Sequence, residues 1–143
     1  MNTTDTKRRL IWHGMFLFLL GLITGLLETQ FTNVRMGLAA HLEGVMNGIF
    51  LVALGAVWNE VRLSARGEVA AYWTALYGTY GNWATTTLAA SFGTGALSPI
   101  TAAGRSARPW QENLVTLGFL TIGLAIIACS ILILVGLRRT TRS

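Results

Sequence analysis

LVTLGFLTIGLAIIACSILILVGL, residues 114–137, contains no charged side chain in 24 positions. A helix of about 20 apolar residues crosses the hydrocarbon core of a bilayer, so this stretch is read first as a membrane span. Three further apolar stretches of similar length precede it, at about 10–27, 37–58 and 70–92. Charged residues fall almost entirely between them, and no strand-like alternation competes. Over 143 residues the chain is 52% hydrophobic and 12% charged, with mean hydropathy +0.53, where a soluble domain carries about 25% charged residues. The sequence therefore predicts an all-α integral membrane four-helix bundle, one membrane domain over 1–143, with packing motifs that suit an oligomer. No soluble catalytic domain fits beside four spans, so any chemistry is built inside the bundle. The first stretch reads as a retained span, because Glu28-Thr29-Gln30 is a poor cleavage site for a signal peptide.

The net charge of +5 reads as cationic ends beside anionic lipid, with no nucleic-acid partner. Lys7, Arg8, Arg9, Arg62, Arg66, Arg138, Arg139 and Arg142 fall on one side of a four-span chain, and Arg35, Arg105 and Arg108 on the other. That bias puts both termini in the cytoplasm, with the protein in the bacterial inner (cytoplasmic) membrane. The long connection 93–113 holds both prolines, Pro99 and Pro109. It reads either as a solvated outer loop or as a lid over a site opening outward. Trp12, Trp58 and Trp110 lie near expected interfaces. Gly21-xxx-Gly25 and Gly44-xxx-Gly48 allow helices to approach closely.

Ionisable and amide groups inside a span mark candidate sites. Here they are His41, Glu43 and Asn47 in the second span and Asn82 in the third. Soluble nucleophile, phosphate-loop and zinc signatures are missing, and the single cysteine, Cys129, excludes cysteine-cluster metal sites. His41 shares a helical face with Gly37, Gly44 and Gly48. Two readings of that face stand side by side. A bare glycine strip beside an imidazole suits a flat ligand such as a porphyrin; equally, His41 bonds a neighbouring helix and the glycines serve packing. His13, the other histidine, lies at the opposite depth, so a bound haem would have one histidine ligand and one open position. Asn47 and Asn82 count to similar depths in antiparallel spans and can converge, either to hold a small polar group in an apolar pocket or, equally, as a polar contact that glues helices together. Glu43, about 200° around the helix from His41, points elsewhere; at i, i+4 to Asn47 it either bonds that side chain or lies in a subunit contact.

The segments Trp12-His13-Gly14, Ala40-His41-Leu42-Glu43-Gly44-Val45-Met46-Asn47-Gly48 and Leu76-Tyr77-Gly78-Thr79-Tyr80-Gly81-Asn82-Trp83 resemble hydroxylaminobenzene mutase. More distantly, His41, Asn47, Gly48 and Asn82 resemble a pattern of styrene oxide isomerase. The second resemblance implies a homotrimer holding ferric haem b between protomers, with His41 as axial iron ligand and iron acting as a Lewis acid. It places Asn47 and Asn82 on the substrate side. Where the epoxide isomerase has a tyrosine four residues beyond its third-span asparagine, this chain has Thr86; Tyr77 and Tyr80 are then the candidate replacements.

The expected function is a membrane isomerase that converts an aryl hydroxylamine, hydroxylaminobenzene, to 2-aminophenol by intramolecular hydroxyl transfer. Arg35, Arg105 and Arg108, the cations on the side of His41, are expected to pair with haem propionates. Two alternatives accompany this: an epoxide isomerase giving an aldehyde, and a small multidrug-type transporter using Glu43 for proton coupling.

Overall fold

The computed structural model describes residues 3–138. They form four long helices and one short one: α1 (Thr3–Leu26), α2 (Val34–Val57), α3 (Ala65–Phe92), α4 (Pro99–Ala102) and α5 (Pro109–Arg138). No strand occurs among the described residues. Arg139 and Arg142, part of the charge bias, lie outside them. The helices overrun the apolar stretches because local signals set their ends. Asn33 caps α2 by accepting from the Met36 N–H at 3.2 Å, and Ser64 caps α3 by accepting from the Gly67 N–H at 3.3 Å. Gly93 ends α3 in the left-handed region at φ 73°, where a side chain would be strained. Pro109 opens α5, where its missing N–H costs nothing.

α1, α2 and α5 are long and apolar enough to cross a membrane. α3 is more polar, because Thr74, Thr79, Thr86 and Thr87 all lie on it. Each of these hydroxyls donates to the carbonyl four residues earlier, at 2.7–2.8 Å, so none asks for water. α1 packs on α2, α2 on α3, and α3 on α5. Two apolar clusters bracket the middle of this arrangement. One gathers Leu10, Leu17, Leu51, Leu54, Trp58, Tyr72, Leu76 and Cys129; the other gathers Met36, Ala89, Ala90 and Val115. The polar residues of α2 and α3 lie between them. Outward, α5 exposes Leu117, Leu120, Leu124, Ile127, Ile131 and Leu134, a surface that needs lipid or another protein against it.

The connection between α3 and α5 is shorter than the sequence suggests, since α5 starts at Pro109, and it is tied down. The Glu112 carboxylate accepts from the N–H groups of Gly95, Ala96 and Ala107 at 2.9–3.2 Å. Asn33, only 2% exposed, donates to the Thr101 carbonyl at 3.0 Å. These bonds dock the loop on the start of α2, so it reads as a fixed cap.

Candidate active site

The α1–α2 seam is built from backbone. A Cβ added at Gly21 would lie 2.6 Å from the Val45 nitrogen, and one at Gly48 would lie 2.6 Å from the Phe18 nitrogen. Gly44 meets Gly21, and Gly37 is covered by Phe31 and Glu28. The glycine strip of α2 is therefore covered by its own chain. This corrects the reading of Gly37, Gly44 and Gly48 as a bare bed for a flat ligand: their missing side chains let the helices touch.

His41 sits in that seam. Its Nδ1 lies 2.8 Å from the Gly21 carbonyl oxygen. A carbonyl only accepts, so Nδ1 carries the proton and donates; in the neutral ring Nε2 keeps its lone pair. No described residue bonds Nε2. Room for the ring comes from Gly25, where a Cβ would fall 2.6 Å from Nδ1. The imidazole lines a groove of about 640 Å³ with Leu22, Gly25, Leu26, Glu28 and Leu38. Leu26 is 84% exposed, so the groove opens outward. Gly21 and Gly25 are thus functional neighbours of His41. Their signal in the sequence was the small-xxx-small spacing, which pointed to packing alone.

The second polar group faces α3. Glu43 Oε2 accepts from Asn47 Nδ2 at 3.0 Å and also from Asn82 Nδ2. Asn47 and Asn82 therefore do converge, and what joins them is the Glu43 carboxylate, which the sequence placed near Asn47 but gave no part in the isomerase site. The i, i+4 spacing of Glu43 and Asn47 was visible; the arrival of Asn82 from another helix was not. Trp83, next to Asn82, donates its indole N–H to Thr24 Oγ1 at 3.0 Å and packs on Gly44.

The remaining candidates go elsewhere. The Tyr77 hydroxyl meets Thr121 Oγ1 at 2.7 Å, on the α3–α5 seam. The Tyr80 hydroxyl donates to the His13 carbonyl at 3.1 Å and lies 3.1 Å from His13 Nδ1. Neither tyrosine bonds Asn47 or Asn82. Arg35, Arg105 and Arg108 are exposed, and none of them lines the His41 groove. Cys129 is buried, its thiol donating to the Ala71 carbonyl at 3.7 Å.

Apolar helices of membrane-spanning length with ionisable and amide groups set among them mark a functional site inside a membrane protein. Residues 6–138 match the styrene oxide isomerase family, and the chain belongs to it. Within that class the chain is 44% identical to hydroxylaminobenzene mutase HabB of Ectopseudomonas oleovorans, over 92% of this chain and 80% of the relative. It is 42% identical to hydroxylaminobenzene mutase HabA of the same organism, over 88% of this chain and 94% of that one. The chain is accordingly an isomerase of the mutase type, and the transporter alternative falls. No solved structure matches it.

Proposed function

We propose that the chain rearranges an aryl hydroxylamine to a 2-aminophenol inside the inner membrane, as a homotrimer of four-helix protomers with cytoplasmic termini and haem b held by His41. α3 is the fourth span in this reading, its hydroxyls satisfied within the helix. The observation that carries the cofactor assignment is the His41 ring: one nitrogen donates to a backbone carbonyl and the other is unbonded beside a groove lined mainly by leucines, with Glu28 at its edge. Metal-binding histidines are commonly oriented in this way, by a hydrogen bond from the nitrogen that does not ligate. The donor set therefore fits a haem with a single histidine ligand. When bound, ferric haem supplies a Lewis acid for the hydroxyl oxygen of the substrate.

The residues of the chain supply the rest. In the overall reaction the hydroxyl leaves nitrogen and appears on the ortho carbon; that carbon loses a hydrogen and nitrogen gains one. Substrate and product share one formula, so no cosubstrate is needed. Asn47 and Asn82, held together by Glu43, orient the N–H and O–H groups of the substrate. Because His41 and Glu43 lie on different faces of α2, the trimer in this reading brings the asparagines of one protomer toward the His41 groove of the next. Apolar side chains on either side of the polar layer keep out bulk water, which would otherwise capture the electrophilic ring.

The purified protein tests both parts. Its visible spectrum should carry a haem band, and phenylhydroxylamine should give 2-aminophenol. A colourless preparation that still forms 2-aminophenol would remove the haem. Aldehyde from styrene oxide, with phenylhydroxylamine untouched, would replace the mutase by the epoxide isomerase.

A further inference from the structure

The hydrogen bonds around Glu43 have a direction. Both asparagines spend an amide N–H on the same carboxylate oxygen, Oε2. Each amide keeps a second N–H, but both nitrogens are held at Glu43, so the atoms turned away are the oxygens. No described residue donates to Asn47 Oδ1 or Asn82 Oδ1. No buried side-chain oxygen or nitrogen is left unpaired among the described residues. The two amide oxygens, in half-buried residues, therefore reach open space. Glu43 Oε1 is likewise without a partner in the chain. Two helices thus present a cluster of oxygens between two apolar clusters.

We propose that Glu43 is the positioning residue that sets the substrate class of this site. By holding both amide nitrogens it turns Asn47 Oδ1 and Asn82 Oδ1 outward as acceptors. The site then selects a substrate with hydrogen-bond donors on its reacting atoms. An N-aryl hydroxylamine has two, an N–H and an O–H; an epoxide has none. An acceptor-only ligand would strip water from these oxygens without replacing its bonds, and an unpaired polar group in an apolar site is costly. The inference rests on the reading of Asn47 and Asn82 as the substrate side. It goes beyond that reading by giving their amides an orientation and the orientation a cause.

Glu43→Leu keeps the bulk but removes the shared acceptor, so neither asparagine nitrogen is held and both amides are free to turn an N–H outward. Two measurements on wild type and E43L decide the matter. The first is the ratio of kcat/KM for phenylhydroxylamine to that for styrene oxide, expected to fall at least about tenfold in E43L. The second is calorimetric binding of two non-reacting isosteres. Benzyl alcohol retains an O–H donor; benzaldehyde is an acceptor only. Wild type should bind benzyl alcohol about tenfold or more tightly than benzaldehyde, and E43L should lose that preference. Glu43→Gln, whose amide oxygen can still accept both N–H groups, should keep it. Equal binding of the two isosteres by wild type, or a folded E43L that keeps both preferences, overturns the proposal. A wild type that converts no phenylhydroxylamine overturns the proposed function instead, while the binding preferences of wild type and E43L still decide the role of Glu43.

Discussion

α1 meets α2 backbone to backbone, whereas α3 meets α5 through side chains. In the first seam Gly14, Gly21, Gly44 and Gly48 each face main-chain atoms of the opposite helix. In the second, Gly78 and Gly81 face only Ile126 and Ile122, apart from one Ile126 main-chain atom, and Gly118 faces the side chain of Thr85. Side chains can shift; backbones in register cannot without moving a helix. The rigid seam is the one that holds His41, whose Nδ1 partner is a main-chain carbonyl of that seam. The adjustable seam holds Tyr77 and Thr121, beside a groove of about 290 Å³. Precision is thus concentrated on α2, whose two faces carry the imidazole and the carboxylate. The comparison implies that substitutions on the faces of α2 cost function, and those between α3 and α5 cost little.

The largest effect is expected from His41→Ala. With no second histidine at that depth, the variant should lose the haem band and turnover together. Its helices need no cofactor to insert, so protein should still reach the membrane. Absorbance per mole of purified protein, read beside 2-aminophenol formation, checks this. Haem and full turnover retained by the alanine variant would end the assignment of His41. Next come Asn47→Ala and Asn82→Ala, each expected to leave the protein coloured and to lower turnover on the order of 10²-fold, for a few kcal/mol of lost orientation. Unchanged turnover in either would return that residue to helix packing.

The sequence read alone was most informative where local rules govern. Four long helices follow from apolar stretches and uncharged length, whereas their ends, capped at Asn33 and Ser64, fall outside what hydropathy marks. Convergence of Asn47 with Asn82 followed from counting depth in antiparallel helices. What connects them did not, because the bond from Asn82 to Glu43 depends on the rotation of α3, and its polar and apolar residues are spread around the helix with too little periodicity to specify that rotation. The glycine face was ambiguous for a related reason. A strip without side chains admits a helix as readily as a flat ligand, and only tertiary packing shows that α1 fills it. Tyr77 and Tyr80 were alternative candidates for the tyrosine of the epoxide isomerase; their hydroxyls bond Thr121 on α5 and the His13 carbonyl on α1.

A paired substitution sharpens the contrast between seams. Gly21→Ala would push a methyl against the Val45 nitrogen at 2.6 Å, a main-chain atom with nowhere to go. Gly81→Ala would meet only Ile122 side-chain atoms, the nearest at 3.0 Å, which can rotate away. Gly21→Ala should cost about 1–3 kcal/mol by overpacking, and by displacing the Gly21 carbonyl it should also weaken haem retention. Gly81→Ala should be neutral or slightly stabilising, since alanine favours the helix by about 1 kcal/mol over glycine. Thermal unfolding in detergent measures both. Equal shifts would erase the distinction between the seams.

The smallest effect is expected from Tyr77→Phe. Tyr77 is 52% exposed, and its O–H donates to Thr121 Oγ1 at 2.7 Å. Thr121 does not depend on that bond, since its own hydroxyl reaches the Leu117 and Gly118 carbonyls at 3.0–3.1 Å. Removing the tyrosine oxygen therefore strands no buried group, and the stability cost should stay below about 1 kcal/mol. Tyr77 also lies on a different seam from Glu43 and Asn82, so 2-aminophenol formation should be unchanged within a factor of about two, well under 1 kcal/mol. Unfolding temperature and turnover, measured side by side with wild type, test the two statements separately. A loss of turnover without a loss of stability would mean that this exposed hydroxyl reaches a reacting substrate after all. Within one chain it is committed to α5, so such a result would place Tyr77 at the site of a neighbouring copy and make the α3–α5 groove part of the catalytic interface.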